Sequence, residues 1–248
     1  MKSQTMLPQQ KTADDTTKSM AVMKSKQLTH LPQLAKKHDG NFVQEVFDTI
    51  LWRIDAKCLA NETMAVGLTG CLRKSGASTI AANLAVRASA QHRGRVLLID
   101  ANWELPGLLK TFNLTPGPGL YDILSGEVSQ RECEPQPVAE NLDVLSRGKL
   151  EEYQPMHVQR DLVEEMLSDF KTEYSLILVD LPAAQEMRSA LPLARHLDGS
   201  LLVARFEAVK HPQAMRALQR LQEDGLAVWG TILNRHREYV PRCLRNWL

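Results

Sequence analysis

VGLTGCLRKSGASTIAANLA, residues 66–85, decides the fold. A short apolar run meets a loop bearing Gly70, Ser75 and Gly76, and the loop runs straight into a helix of small residues. Strand, loop and helix N-terminus in that order make a phosphate-binding element. The free N–H groups of the first helical turn face the loop, and the helix dipole favours an anion there. The full pattern needs Gly, Lys, then Ser or Thr, the lysine reaching the β- and γ-phosphates and the hydroxyl holding magnesium. Gly76, Ser78 and Thr79 satisfy it, but the lysine position is Ala77. The fold signal is intact, and the residue that matters most for phosphoryl chemistry is missing.

Outward from this stretch, strands and helices alternate. Residues 64–69, 95–100 (RVLLID), 142–145, 174–180 (YSLILVD), 199–205 and 226–233 read as strands, the continuous apolar runs being those of strands covered on both faces. Helical spacing covers 42–59, with Asn41 as its N-cap, then 78–92, with Ile80, Leu84 and Val86 facing inward, and 105–112, 120–124, 156–170, 189–196 and 212–223. This alternation predicts an α/β three-layer fold of the P-loop NTPase type, a mainly parallel sheet flanked by helices. Ligands of such sheets bind beyond the C-terminal strand ends. Three ends carry polar residues: the loop after the first strand, Asp100, and Asp180. Either carboxylate alone reads equally well as a cap on the following helix. Two of them on the same edge as a Gly–Ser loop point to a site.

The bulk numbers are those of a globular protein. The 248 residues are 44% hydrophobic and 24% charged, with a net charge of +1, so the chain lacks the basic excess of a nucleic-acid binder. No apolar run approaches the ~18 residues of a membrane span, and residues 1–7 lack a signal-peptide core, so the chain reads as cytoplasmic. Cys58, Cys71, Cys133 and Cys243 fit neither a zinc site nor a redox pair and read as reduced thiols, although Cys71 sits in the loop. Residues 1–40 carry seven Lys against three Asp and few apolar anchors, and read as a flexible polar tail. Its charge suits either an anionic membrane face or a solvated linker. The expected division is this tail, a domain over 41–236, and a C-terminal tail over 237–248.

The same residues resemble a known family. SGASTIAANLA is similar to the GEGKST loop and following helix of the bacterial tyrosine kinases of capsule and exopolysaccharide systems, relatives of the deviant Walker ATPases that include the ParA and MinD proteins. RVLLIDANWELPGLLKTFNL with PGPGLYDILSGE, then LDVLSRGKL, EYSLILVDLPA, LARHLDGSLLVARFEAVK and WGTILNR extend the likeness over residues 41–236. The resemblance implies ATP and magnesium as cofactors. Gly76, Ser78 and Thr79 would surround the phosphates, Ser78 and Asp180 would hold magnesium, Asp100 would lie near the metal or the attacking group, and Asn234 would face the purine. It also implies a membrane-spanning chain-length regulator, or co-polymerase, as partner, and hence a place at the inner face of the membrane.

The departures from the family are as informative. Ala77 replaces the lysine, so nucleotide binding is expected to be weak or lost. Asn102 stands where the family has a second Asp, and Leu181 follows the strand-end Asp180 in place of Thr. Trp103, Glu104 and Leu105 occupy the place of a basic pair before Pro106. The family's ring-forming helix carries a Glu and two Arg; here Glu45 is kept, and Asp48 and Leu51 fill the Arg positions, so a homo-oligomer would rest on a degenerate interface. The C-terminal tyrosine cluster is missing, Tyr239 being the only tyrosine beyond Tyr174. Arg73 and Lys74 could stand in for the lysine, although loop cations of this kind are mostly solvated. The leading expectation is a degenerate regulatory member of the family. The alternatives are an active kinase or ATPase using Arg73 or Lys74, and a ParA/MinD-like positioning ATPase.

Overall fold

The computed structural model describes residues 40–57, 62–91, 94–104, 107–148, 158–206 and 208–235. The 1–40 tail, apart from Gly40, and the 237–248 tail lie outside the described residues, as do Cys58, Leu105, Pro106, Tyr239 and Cys243.

Seven strands form one sheet in the order β3-β4-β2-β5-β1-β6-β7. They are β1 (Met64–Gly70), β2 (Val96–Asp100), β3 (Gln136–Ala139), β4 (Leu142–Leu145), β5 (Leu176–Asp180), β6 (Gly199–Arg205) and β7 (Val228–Asn234). All neighbours pair in parallel except β3, which runs antiparallel to β4 at one edge. The mainly parallel α/β fold expected from the sequence is the fold observed. β3 has no counterpart in the sequence reading. Its four residues include Pro137 and show no apolar run, and β3 exists only as the return partner of β4.

The central strands are buried on both faces, so their side chains divide between two cores with a period of two. Val66, Leu68, Val96, Leu98 and Leu178 face one side, where α1 (Gly40–Asp55) and α2 (Ala77–Ala90) pack through Leu51, Ile54, Ile80 and Leu84. Leu97, Ile99, Ile177 and Val179 face the other, where α5 (Arg160–Glu173) contributes Val163, Met166 and Phe170. Two short helices, α3 (Leu108–Thr111) and α4 (Leu120–Leu124), follow β2. The 3-10 turn Ala184–Ser189 and α6 (Leu191–Ala194) replace the single helix expected at 189–196, and α7 (His211–Glu223) connects β6 to β7.

Two local expectations change. α1 already includes Gly40, so Asn41 lies inside its first turn and is not the cap. Val86 is only partly buried against the core that holds Ile80 and Leu84. Trp103, named from the sequence only for standing in place of a basic residue, takes a core position: it is 8% accessible and packed edge-on against Tyr121 with ring centroids 6.5 Å apart.

The PGPG segment has a steric purpose at its end. Gly119 presses against the backbone of Ser146 and Gly148, and a Cβ there would collide with Gly148 N and Ser146 O. Leu120 N donates to Ser146 O at 2.9 Å and Gly119 N to Asp122 Oδ2 at 2.7 Å, which locks this approach. Gly119→Ala is expected to destabilise the chain by about 1–3 kcal/mol, the usual cost of overpacking, as a lower midpoint in urea unfolding.

Candidate functional site

The loop after β1 closes on itself before α2 begins. Ser75 Oγ donates to Leu72 O at 2.8 Å and accepts from Leu72 N at 3.2 Å. Gly76 then turns left-handed at φ 93°, a conformation glycine adopts without strain, and forms the N-cap of α2 with no side chain capping the helix. The first-turn N–H groups of α2 therefore face the loop. Ala77, 9% accessible, and half-buried Ser78 stand at the head of the helix. The end of β7 reaches over the loop: Asn234 Nδ2 donates to Ser75 O at 2.8 Å, against the bare Cα of Gly76.

β2 and β5 bring the two carboxylates together. Asp100 and Asp180 are register partners on these neighbouring strands, and both are essentially inaccessible. Asp180 lies on β5 beside β1, in register with Leu68, just before the loop. Neither of its oxygens has a hydrogen-bond partner at bonding distance. Burial raises its carboxyl well above the usual range and the neighbouring Asp100 raises it further, while Ser78 and Asn102 lie close enough to offset part of the rise. Burial likewise pushes Asp100 up to about 6, against the lowering effect of the Asn102 and Leu108 N–H groups and of the Arg147 charge. Asn102, 8% accessible, donates its N–H to Asp100 Oδ1 at 3.1 Å.

An orphaned, fully buried carboxylate beside a hydroxyl is the donor set magnesium takes when phosphates supply further ligands. Among the described residues no group of three or more His, Cys, Asp or Glu is gathered to hold a metal by itself. The residues present thus fit a magnesium ion that arrives with a phosphate ligand. For the phosphates themselves the loop backbone fits, and the lysine charge does not exist.

The cleft over the loop, about 350 Å³, is lined by Gly76, Ala77, Ser78, Thr79 and Asn102 together with Arg73, Lys74, Glu186 and Arg235. Arg73 is exposed, as expected of a loop cation, and is also paired. Its Nε is bonded to Glu186 in the turn after β5, and its Nη2 donates to Glu104 Oε2 at 3.1 Å. Two carboxylates on separate segments thus hold the cation across the mouth of the cleft. Lys74 is exposed in a left-handed turn at φ 60°. Cys71, buried at the foot of the loop, has its thiol pushed up to about 11 by burial, so the thiolate needed for redox chemistry is suppressed.

At α1, the two positions where the resemblance calls for arginine are committed inside the chain. Asp48 accepts from Arg87 Nε at 2.5 Å, from Arg87 Nη2 at 2.7 Å and from Gln91 Nε2 at 2.5 Å, while Leu51 is fully buried.

A parallel sheet of this order, a glycine–serine loop heading a helix on the edge where ligands bind, and a buried carboxylate on the adjacent strand make up a P-loop NTPase-type fold. No protein-family model matches the sequence. The chain is 29% identical over 167 residues to the tyrosine-protein kinase Wzc of Salmonella typhi, covering 67% of this chain and 23% of that protein. It is 25% identical over 205 residues to the tyrosine-protein kinase Etk of Escherichia coli K12, covering 83% and 28%. Among solved structures, the kinase domain of E. coli ETK aligns with a TM-score of 0.68 at 23% identity, covering 80% of this chain and 79% of that one. MinD of Pyrococcus horikoshii, complexed with Mg-ADP, aligns with a TM-score of 0.58 at 22% identity, covering 73% and 74%. These structural likenesses establish the fold. The chain is a homologue of the bacterial tyrosine-protein kinases, and its fold is shared with MinD and a ParA-family protein. It spans about a quarter of the length of the curated relatives it matches.

Of the residues the sequence singled out, Gly76, Ala77, Ser78, Thr79, Asp100 and Asp180 are placed at one edge of the sheet. Asn234, also singled out, sits on the loop backbone. Sequence reasoning missed Glu104 and Glu186 as partners of Arg73. Thirty-one and 113 residues separate them from it, and no local pattern links them.

Proposed function

We propose that this chain is a catalytically degenerate member of the bacterial tyrosine-kinase family. In this reading it is a cytoplasmic regulatory component of exopolysaccharide or capsule production, acting beside a membrane chain-length regulator. Its domain covers residues 41–236, between two tails. The observation that carries the reading is the state of positive charge at the loop. Ala77 has none to offer, and Arg73, which lines the cleft with Lys74 and Arg235, is already bonded to Glu186 and Glu104. Phosphoryl transfer depends chiefly on positioning and on stabilising charge at the β–γ bridge, and both need a free cation there.

The remaining residues keep a role in binding. Gly76, Ser78 and Thr79 would present backbone N–H groups to phosphate oxygens, Ser78 and Asp180 would hold magnesium, and Asn234 would brace the loop below the base. An ion held there by Ser78 and Asp180 would supply positive charge that offsets part of that on the phosphates. Ring assembly through α1 is reduced, because Asp48 is bound to α2 and Leu51 to the core. Among the described residues no helix is long and apolar enough to cross a membrane, so any membrane attachment of this domain comes through a partner or another segment. A second reading, an active kinase or ATPase, would draw on a cation already at the cleft: Lys74 or Arg235, which line it, or Arg73 on leaving both carboxylates. A ParA/MinD-like positioning role rests on shared fold alone.

The test is titration with a fluorescent ATP analogue and magnesium, followed by assays of phosphate release and phosphotyrosine. Weak binding and no turnover are expected. Turnover that disappears in Asp180→Ala would overturn the reading.

A further inference from the structure

Away from the loop, the sheet ends in a second concavity. β7 is the outermost strand, and among the described residues nothing pairs with its outer edge. Between this edge and α1 runs a groove of about 510 Å³. Its floor is Trp229, Gly230 and Ile232, and its wall is Val46, Ile50 and Ile54 of α1. Position 230 contributes no side chain to the groove, and a Cβ built there meets no atom within 4 Å. Its φ is not left-handed, so backbone conformation does not demand glycine either. Trp229 lies flat against Gly199 of β6, which has no side chain to lift it. Val46 (41% accessible) and Leu233 (52%) leave apolar surface open along the groove. Glycine inside a strand weakens it and marks places where another backbone comes close. Unpaired apolar edges are normally blunted by charge, proline or cover.

The charge of the lining selects the occupant. Arg53 on α1 and Lys57 in the turn that follows it line the groove, and no carboxylate lines it. The chain's own undescribed ends have the wrong sign: residues 1–39 carry seven Lys against three Asp, and residues 236–248 three Arg against one Glu. We infer that the α1–β7 groove receives an extended apolar segment with acidic residues from a partner polypeptide. The segment adds as a strand to the edge of β7, lays alternate apolar side chains over Gly230 and Trp229, and sets its carboxylates against Arg53 and Lys57. Main-chain pairing supplies affinity in this mode, and the pockets for alternate side chains supply selectivity.

The test is a random decapeptide library panned on the full chain, with Gly230→Val as counter-selection. Enriched peptides are expected to carry net negative charge with apolar residues at alternate positions and to protect the amides of residues 229–233 from hydrogen exchange. They should bind Gly230→Val and Arg53→Glu/Lys57→Glu at least tenfold more weakly. Gly230→Val should fold normally, since its side chain enters open space; if it does not, the charge variant on the exposed wall decides alone. Any of four results would overturn the inference: no enrichment; enrichment of basic or neutral peptides; peptide binding indifferent to both variants; or a Gly230-dependent affinity for phosphatidylglycerol vesicles or for a second copy of the chain instead.

Discussion

Ala77→Lys is expected to raise the affinity for magnesium-ATP by about ten- to a hundredfold, the ~1.5–3 kcal/mol of one hydrogen bond to a charged group. The position is right for it. Residue 77 opens α2, lines the cleft and follows a left-handed glycine that already shapes the loop. A lysine there would point along the first turn towards the place where the helix N–H groups converge. The measurement is the fluorescent-analogue titration, run on Ala77→Lys and on Ala77→Lys/Glu186→Gln. The second variant also loosens Arg73 from one of its two carboxylates, so it should bind at least as tightly as the first. Unchanged affinity in both would mean that the cradle itself is closed to a triphosphate, and the proposed ancestry of the site as a nucleotide pocket would lose its support.

Asp180→Asn is expected to stabilise the protein in the absence of nucleotide, raising Tm at pH 8 by roughly 5 °C and at pH 5 by much less. Asp180 is fully buried without a partner and next to Asp100. Its charged form is therefore disfavoured in the native state, whereas the unfolded chain ionises freely. The folded carboxyls bind protons that the unfolded ones release. Their contribution to stability is complete below about pH 4, and it is lost as pH rises through the raised native values, about 6 for Asp100, with Asp180 raised in the same direction. A rise from 3.8 to about 6 at Asp100 alone corresponds to ~3 kcal/mol over that window. Thermal melts from pH 4 to 8 should show Tm falling across this range in the parent chain and a flatter profile in Asp180→Asn. A parent profile that rises through the same range would contradict a protonated pair.

Much of this was legible in the residues. Continuous apolar runs ending in Asp at 100 and 180 gave two central strands, and the glycine–serine loop gave the edge on which the site lies. Those signals are local, each held within about ten residues. What the sequence did not disclose depends on distance or context. β3 contains a proline and no apolar pattern, and only β4 makes it a strand. Trp103 follows a polar residue in what looks like an open loop, yet Tyr121 and the core enclose it. The bonding of Arg73 to Glu104 and Glu186 joins three segments that become neighbours only once the sheet is assembled. Asp48 and Leu51 could be seen to differ from the family's arginines, but their engagement with α2 and the core could be read only from the packed helix.

The brace between Asn234 and Ser75 carries a consequence for how this domain has persisted. The bend of residues 70–76 is upheld by Ser75 against Leu72 below and by the final strand above, bonds internal to the polypeptide. Its curvature was thus never on loan from an anion. In the degenerate reading proposed above, the loop would keep its shape with alanine at position 77, because its bend rests on Ser75, Leu72 and Asn234 and not on that side chain.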